Sequence, residues 1–145
     1  MQIIIAATGK IKKQSPESEI ILEYLKRLPW QVSISEFDEI QEAFDCKTLL
    51  ADKYKGYSII QLSPQGKVID SKEFAKTIGD IGAYKSNKVV FLIGGSRGFV
   101  NEEQISIEKK ISFGKMTFPH KLFRAMLVEQ LYRAHTILEG HPYHK

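Results

Sequence analysis

The run Val89-Val-Phe-Leu-Ile93 is apolar without interruption and closes on Gly94 and Gly95. A short run of this kind suits a strand covered on both faces, because a strand with one wet face would alternate with polar residues. Ile3-Ile-Ile5, ending at Thr8-Gly9-Lys10, and Ser58-Ile-Ile-Gln-Leu62 read the same way, while Val32 and Ile34 alternate with serines before Phe37. Helical patterns separate these strands. Ser15 before Pro16 is an N-cap and first-turn pairing, and Ile20, Ile21, Tyr24, Leu25 and Leu28 recur at helical spacing until Pro29 stops them. Asp70 and Glu73 form a capping box for a helix carrying Phe74, Ile78 and Ile81. Pro119 opens the longest helix, with Leu122, Phe123, Met126, Leu127 and Leu131 on one face, and Ile137 and Leu138 extending it to Gly140. Strands alternating with helices predict an α/β fold, a mainly parallel sheet flanked by helices, in one domain spanning residues 1–145.

Other stretches are less regular. The polar segment from Asp38 to Lys55, relieved by Phe44, Leu49 and Leu50, predicts a weak helix. Pro64-Gln-Gly-Lys67 is expected to end the third strand, Asn101 and Gln104 to make a second capping pair, and Phe113 to Phe118 to form a short strand. The formal charge of +4 and the pI near 9.1 lean towards a polyanionic partner. Cys46 is the only cysteine, so no intrachain disulfide and no cysteine-based metal cluster can form. The first residues carry no basic group before their apolar run, and no apolar stretch approaches the ~20 residues of a membrane span. A cytoplasmic protein without membrane contact is expected.

Ligands of open α/β sheets collect beyond the carboxyl ends of the strands. Three loops qualify, after Leu62, after Ile93 and along Phe113-Gly-Lys-Met-Thr-Phe118, and they contain Gly66, Gly94, Gly95, Gly98 and Gly114. Such glycines let backbone amides approach a ligand, and they equally serve tight turns. Gly94-Gly-x-x-Gly98 is not a dinucleotide fingerprint, and no P-loop is present, so adenosine held by backbone hydrogen bonds fits better than a bound phosphate. His141 and His144 lack a second liganding cluster, so no metal is expected. His141-Pro-Tyr-His-Lys145 is nevertheless able to hydrogen-bond a base and accept a proton near neutral pH; a frayed terminus is the competing reading. Arg124 and Arg133, away from the most apolar positions of the long helix, suit phosphate contact or an ion pair with Glu129.

At Phe91-Leu-Ile-Gly-Gly-Ser-Arg-Gly-Phe99, Met116-Thr-Phe-Pro-His120, Glu129-Gln-Leu-Tyr132-Arg-Ala134 and His141-Pro-Tyr-His144 the chain closely resembles the RlmH family of SPOUT-superfamily methyltransferases. The resemblance runs essentially end to end. It implies a carboxyl-terminal trefoil knot, which general topology rules argue against. It also implies S-adenosyl-L-methionine as methyl donor and N3 of pseudouridine 1915 of 23S ribosomal RNA as target, on assembled ribosomes. The family's cofactor contacts fall on Leu62, Gly94, Phe113, Gly114, Lys115, Met116, Thr117 and Phe118. A homodimer is implied in which one subunit's tail completes the other's pocket. Tyr143 and His144 are then expected to position the base or help remove its proton, with His141 shaping the tail and Arg124 contacting phosphate or base. Two departures stand out: the Asp38–Lys55 region looks shorter than in typical members, and Arg97 and Gly114 occupy positions where relatives vary. The alternatives are a noncatalytic ribosome-binding protein of the same fold, against which the intact glycines and tail weigh, and a superfamily enzyme acting on transfer RNA, against which the family-specific tail weighs.

Overall fold

The computed structural model describes residues 1–38 and 42–145. Its centre is a five-stranded sheet built from β1 (Gln2–Thr8), β2 (Gln31–Phe37), β4 (Ser58–Val68), β5 (Lys88–Ile93) and β7 (Lys109–Ser112), in the order β2-β1-β5-β4-β7. Every neighbouring pair in it is parallel. A smaller parallel pair joins β3 (Phe44–Asp45) to β6 (Phe99–Val100).

Side chains alternate across each strand and divide the core in two. Ile3, Ile5 and Ala7 of β1, with Val89, Phe91 and Ile93 of β5, join the apolar faces of helices α1 (Pro16–Arg27), α2 (Ser71–Tyr84) and α3 (His120–Glu139). Ile4, Ala6, Val90 and Leu92 face the other way and are covered by Phe44, Cys46, Leu49 and Tyr54. Phe74 and Phe91, both fully buried, meet at 5.8 Å between ring centroids. Fully burying such a side chain is worth about 1.5–3 kcal/mol, so this layer dominates stability.

The helix ends follow local chemistry. Ser15 accepts a hydrogen bond from Ser18 N at 3.2 Å, Pro16 occupies the first turn, and α1 places Glu17 and Glu19 at its start and Lys26 and Arg27 at its end, matching its dipole. The Asp70 and Glu73 capping box is present, with bonds of 2.8 and 3.1 Å. Gly140, at φ +71°, ends α3, and His141 N then donates to Thr136 O at 2.8 Å, which turns the tail back along the helix.

Four local expectations are corrected. The weak helix of Asp38–Lys55 is replaced by β3 and two 3-10 turns, Cys46–Leu50 and Asp52–Tyr54; its residues 39–41 lie outside the described residues. Too few apolar positions recur there for an α-helical stripe, so the segment lays Phe44, Cys46, Leu49 and Tyr54 onto the sheet individually. Pro64 and Gly66 do not end β4. They form an irregularity after which the strand resumes, with Leu62 and Lys67 both in register with Ile111. Asn101 caps nothing with its side chain; it sits at φ +58° and donates to Asp45 at 2.9 Å, and only the short turn Glu102–Gln104 follows. The strand expected at Phe113–Phe118 lies earlier, at Lys109–Ser112, and Phe113 to Phe118 form a loop. Gly114, at φ +139°, breaks the extended run.

The irregularity in β4 brings Gly66 against β7. A Cβ added there would lie 2.7 Å from both the N and C atoms of Ile111, a contact with backbone that cannot rotate aside. Gly66→Ala is expected to lower unfolding free energy by ~1–3 kcal/mol, the usual cost of overpacking. A urea midpoint equal to the parent's would contradict it. Among the described residues, no helix is long and apolar enough to cross a membrane.

Candidate active site

The irregularity within β4 and the loops leaving β5 and β7 surround a cleft of about 900 Å³. Leu62, Gly94, Phe113, Gly114, Lys115, Met116, Thr117 and Phe118, the expected cofactor residues, all line it. Leu62, before the irregularity in β4, and Ile93, at the end of β5, are register partners and supply an apolar floor. Phe113 packs against Phe123 at 5.0 Å, and Phe118 stacks over Phe123 at 6.1 Å, so one wall is aromatic. Ser112 Oγ donates to Gly114 O at 2.6 Å and accepts from Gly114 N at 3.1 Å, a clamp that fixes the turn into the loop.

Gly94 is needed for a different reason from the one its motif suggests. An added Cβ would sit 2.4 Å from Gly98 O, because the loop closes on itself through Gly98 N to Gly95 O at 3.0 Å. The fold of the loop, before any ligand, excludes a side chain. Ser63, Pro64, Gln65, Pro119 and His120 also line the cleft, within the segments expected there but beyond the residues given as cofactor contacts.

The tail is ordered against its own chain. Tyr143 donates to Glu129 at 3.0 Å, lies 3.2 Å from the Tyr24 hydroxyl, and packs edge-on to Tyr132 at 4.8 Å. Burial first, then the hydrogen bonds to Tyr24 and Glu129, push its phenol well above the ordinary value, so it remains a hydrogen-bond donor. Arg133 Nη1 lies 3.1 Å from His144 Nδ1 and can only donate, which makes Nδ1 the acceptor. His141 Nδ1 accepts from Tyr143 N at 3.2 Å. Glu129 pairs with Arg133, not with Arg124.

Arg124 stands apart from the surface role expected of it. Its side chain is fully buried, with Nη1 2.6 Å from Glu36 and Nη2 donating to the carbonyls of Thr8 and Gly9 at 3.1 and 3.0 Å. A guanidinium with no exposure holds protein together and does not meet phosphate directly in this structure. Helical spacing did not show this, because a carboxylate on β2 and two carbonyls at the end of β1 decide where the side chain goes. No group of three or more histidine, cysteine, aspartate or glutamate side chains among the described residues is placed to hold a metal.

The sequence model of the family described as "Predicted SPOUT methyltransferase" matches residues 1–144. The chain belongs to the SPOUT methyltransferase family. Ribosomal RNA large subunit methyltransferase H of Paramagnetospirillum magneticum is 38% identical to it over 152 aligned positions, covering 100% of this chain and 99% of the relative. The proteins of the same name from Carboxydothermus hydrogenoformans and Zymomonas mobilis are 38% and 39% identical, again over 100% of this chain and at least 99% of their own lengths. In this SPOUT chain the cleft and the tail sit at different levels of α3. His120 and Phe123 line the cleft, whereas Glu129 and Arg133 hold the tail. At ~1.5 Å per residue, Phe123 and Glu129 are about 9 Å apart along the axis, and His120 and Arg133 about 20 Å. No tail residue lines the cleft of its own chain.

Proposed function

We propose that this chain is an S-adenosyl-L-methionine-dependent methyltransferase acting at N3 of pseudouridine 1915 of 23S ribosomal RNA, on assembled ribosomes in the cytoplasm, as a homodimer. The observation that carries the reading is the convergence of all eight expected cofactor residues on one cleft, in a chain matched end to end by large-subunit ribosomal RNA methyltransferases. Family membership implies the trefoil knot.

The residues fit the cofactor. Leu62, Ile93 and the Phe113 to Phe118 wall offer apolar surface to an adenine, and Gly114, with nothing within 4 Å of an added Cβ, leaves backbone open to the cleft. When bound, S-adenosyl-L-methionine supplies an electrophilic methyl group, and no metal is called for. The protein's task is to hold the target nitrogen in line and to let its proton leave. Tyr143, whose hydroxyl is fixed by its bond to Glu129, and His144 are suited to position the base. No tail residue lines the cleft of its own chain, which favours delivery of the tail to a second subunit's cleft. A groove of about 530 Å³ bordered by Ile20, Tyr24, Leu122, Met126 and Glu129 offers apolar surface for that subunit.

Incubation with labelled S-adenosyl-L-methionine and ribosomes, free ribosomal RNA or transfer RNA tests the function. Label in 23S RNA, mapped by mass spectrometry to N3 of the pseudouridine, is expected; label only in transfer RNA, or none, would overturn the reading in favour of the transfer-RNA enzyme or the noncatalytic binder. Activity is expected to be unchanged by a chelator, and its loss on chelation would refute the metal-free mechanism.

A further inference from the structure

The loop Gly9–Lys13 leaving β1 takes no part in the cleft or the tail, yet its root is tied down by several hydrogen bonds. Arg124, the largest fully buried side chain, binds the carbonyls of Thr8 and Gly9 and the Glu36 carboxylate. The same Glu36 oxygen accepts from Ile11 N at 2.7 Å, and Gly9 N donates to Phe37 O at 2.7 Å. Burying a guanidinium costs desolvation that a buried ion pair barely offsets, so a pair of this kind contributes more to fixing a shape than to stability. The shape it fixes carries Lys10, Lys12 and Lys13, all exposed.

The end of β1, from which that loop leaves, lies beside Gly95 of the cleft. Ala7 is in register with Ile93, and a Cβ built on Gly95 would lie 3.4 Å from Thr8 Cγ2. Lys10 has Asp38 at 3.6 Å, but both side chains are more than 70% exposed (71% and 72%), a pair weak enough for a phosphate to displace. Glu17 and Glu19 in the first turn of α1 are the other nearby acids in sequence, and Glu36 is already engaged.

We infer that Gly9–Lys13 is a loop that binds backbone phosphates of the RNA substrate beside the cleft, with Arg124 and Glu36 as its positioning pair. The inference rests on the ribosomal RNA reading above. Lysines meet phosphates as point charges, and removing one such interaction flattens the dependence of log affinity on log salt by about 0.7–0.9.

The test uses the full-length chain with ribosomal substrate. Replacing Lys10, Lys12 and Lys13 together by glutamine is expected to raise the KM for RNA ~10-fold or more and to flatten its salt dependence, with kcat and cofactor affinity retained. These side chains are exposed, so folding is not at stake. Glu36→Gln, which leaves the lysines in place but releases their frame, is expected to raise the same KM with kcat retained. An unchanged KM and salt slope in the lysine variant, beside an active parent, would overturn the loop's role while leaving the methyltransferase reading intact. A Glu36→Gln variant that only melts earlier, with KM unchanged, would overturn the positioning role. A parent that methylates no ribosomal substrate would remove both the reading and this inference.

Discussion

Deletion of His141 to Lys145 is expected to lower methyl transfer by ~10²–10⁴-fold, the range that positioned polar groups contribute at a reacting centre. Calorimetric affinity for S-adenosyl-L-methionine should remain that of the parent, because no tail residue lines the cleft of its own chain. A frayed terminus would predict no loss at all. The contacts of Tyr143 with Glu129, Tyr24 and Tyr132 argue that the tail is built to a purpose. The sharper form mixes two inactive chains, one lacking the tail and one carrying Gly94→Ala. If the tail serves the partner's cleft, their heterodimer contains one intact cleft facing one intact tail, and part of the activity returns. No recovery in a verified heterodimer would mean that each site is assembled within one chain.

Gly94→Ala is expected to weaken cofactor binding by about 100-fold, the scale on which a displacement near 1 Å is felt in a positioned site. The cause lies in the loop itself: the new methyl group would meet Gly98 O at 2.4 Å, and Gly98 O is already committed to Phe44 N at 2.9 Å. Relief of the clash must therefore move either the rim of the cleft or the β3–β6 pair. Gly56→Ala is the matching control. Its position has φ +83° and open space around an added Cβ, so it bears backbone strain without lining the cleft. Isothermal titration on both variants, with circular dichroism to confirm folding, decides the matter. Equal affinities would show that the Gly94 loop is not part of the cofactor site.

The strongest local signals carried through to the structure. Uninterrupted apolar runs at Ile3–Ile5 and Val89–Ile93 became adjacent central strands, and the caps at Ser15, Asp70 and Gly140 bound their helices. These signals act over a few residues, where hydrogen-bond satisfaction and burial leave little choice. The loops after Ile93 and Ser112 were legible for the same reason, and the eight residues that the family resemblance marked share one cleft with them. What sequence could not supply were choices made across the sheet. Gln61 and Leu62 looked like the end of a strand until pairing with β7 drew the chain onward past Gly66. Phe113 to Phe118 carried strand-forming residues, but the register of β7 with β4 closes at Ser112, and the Ser112 clamp on Gly114 turns the chain away. Arg124 looked like a surface cation because helical spacing says nothing of a carboxylate 88 residues earlier in the chain. Only the packing of α3 over the carboxyl ends of β1 and β2 brings Glu36, Thr8 and Gly9 to it, and a buried charge must lie where such partners converge.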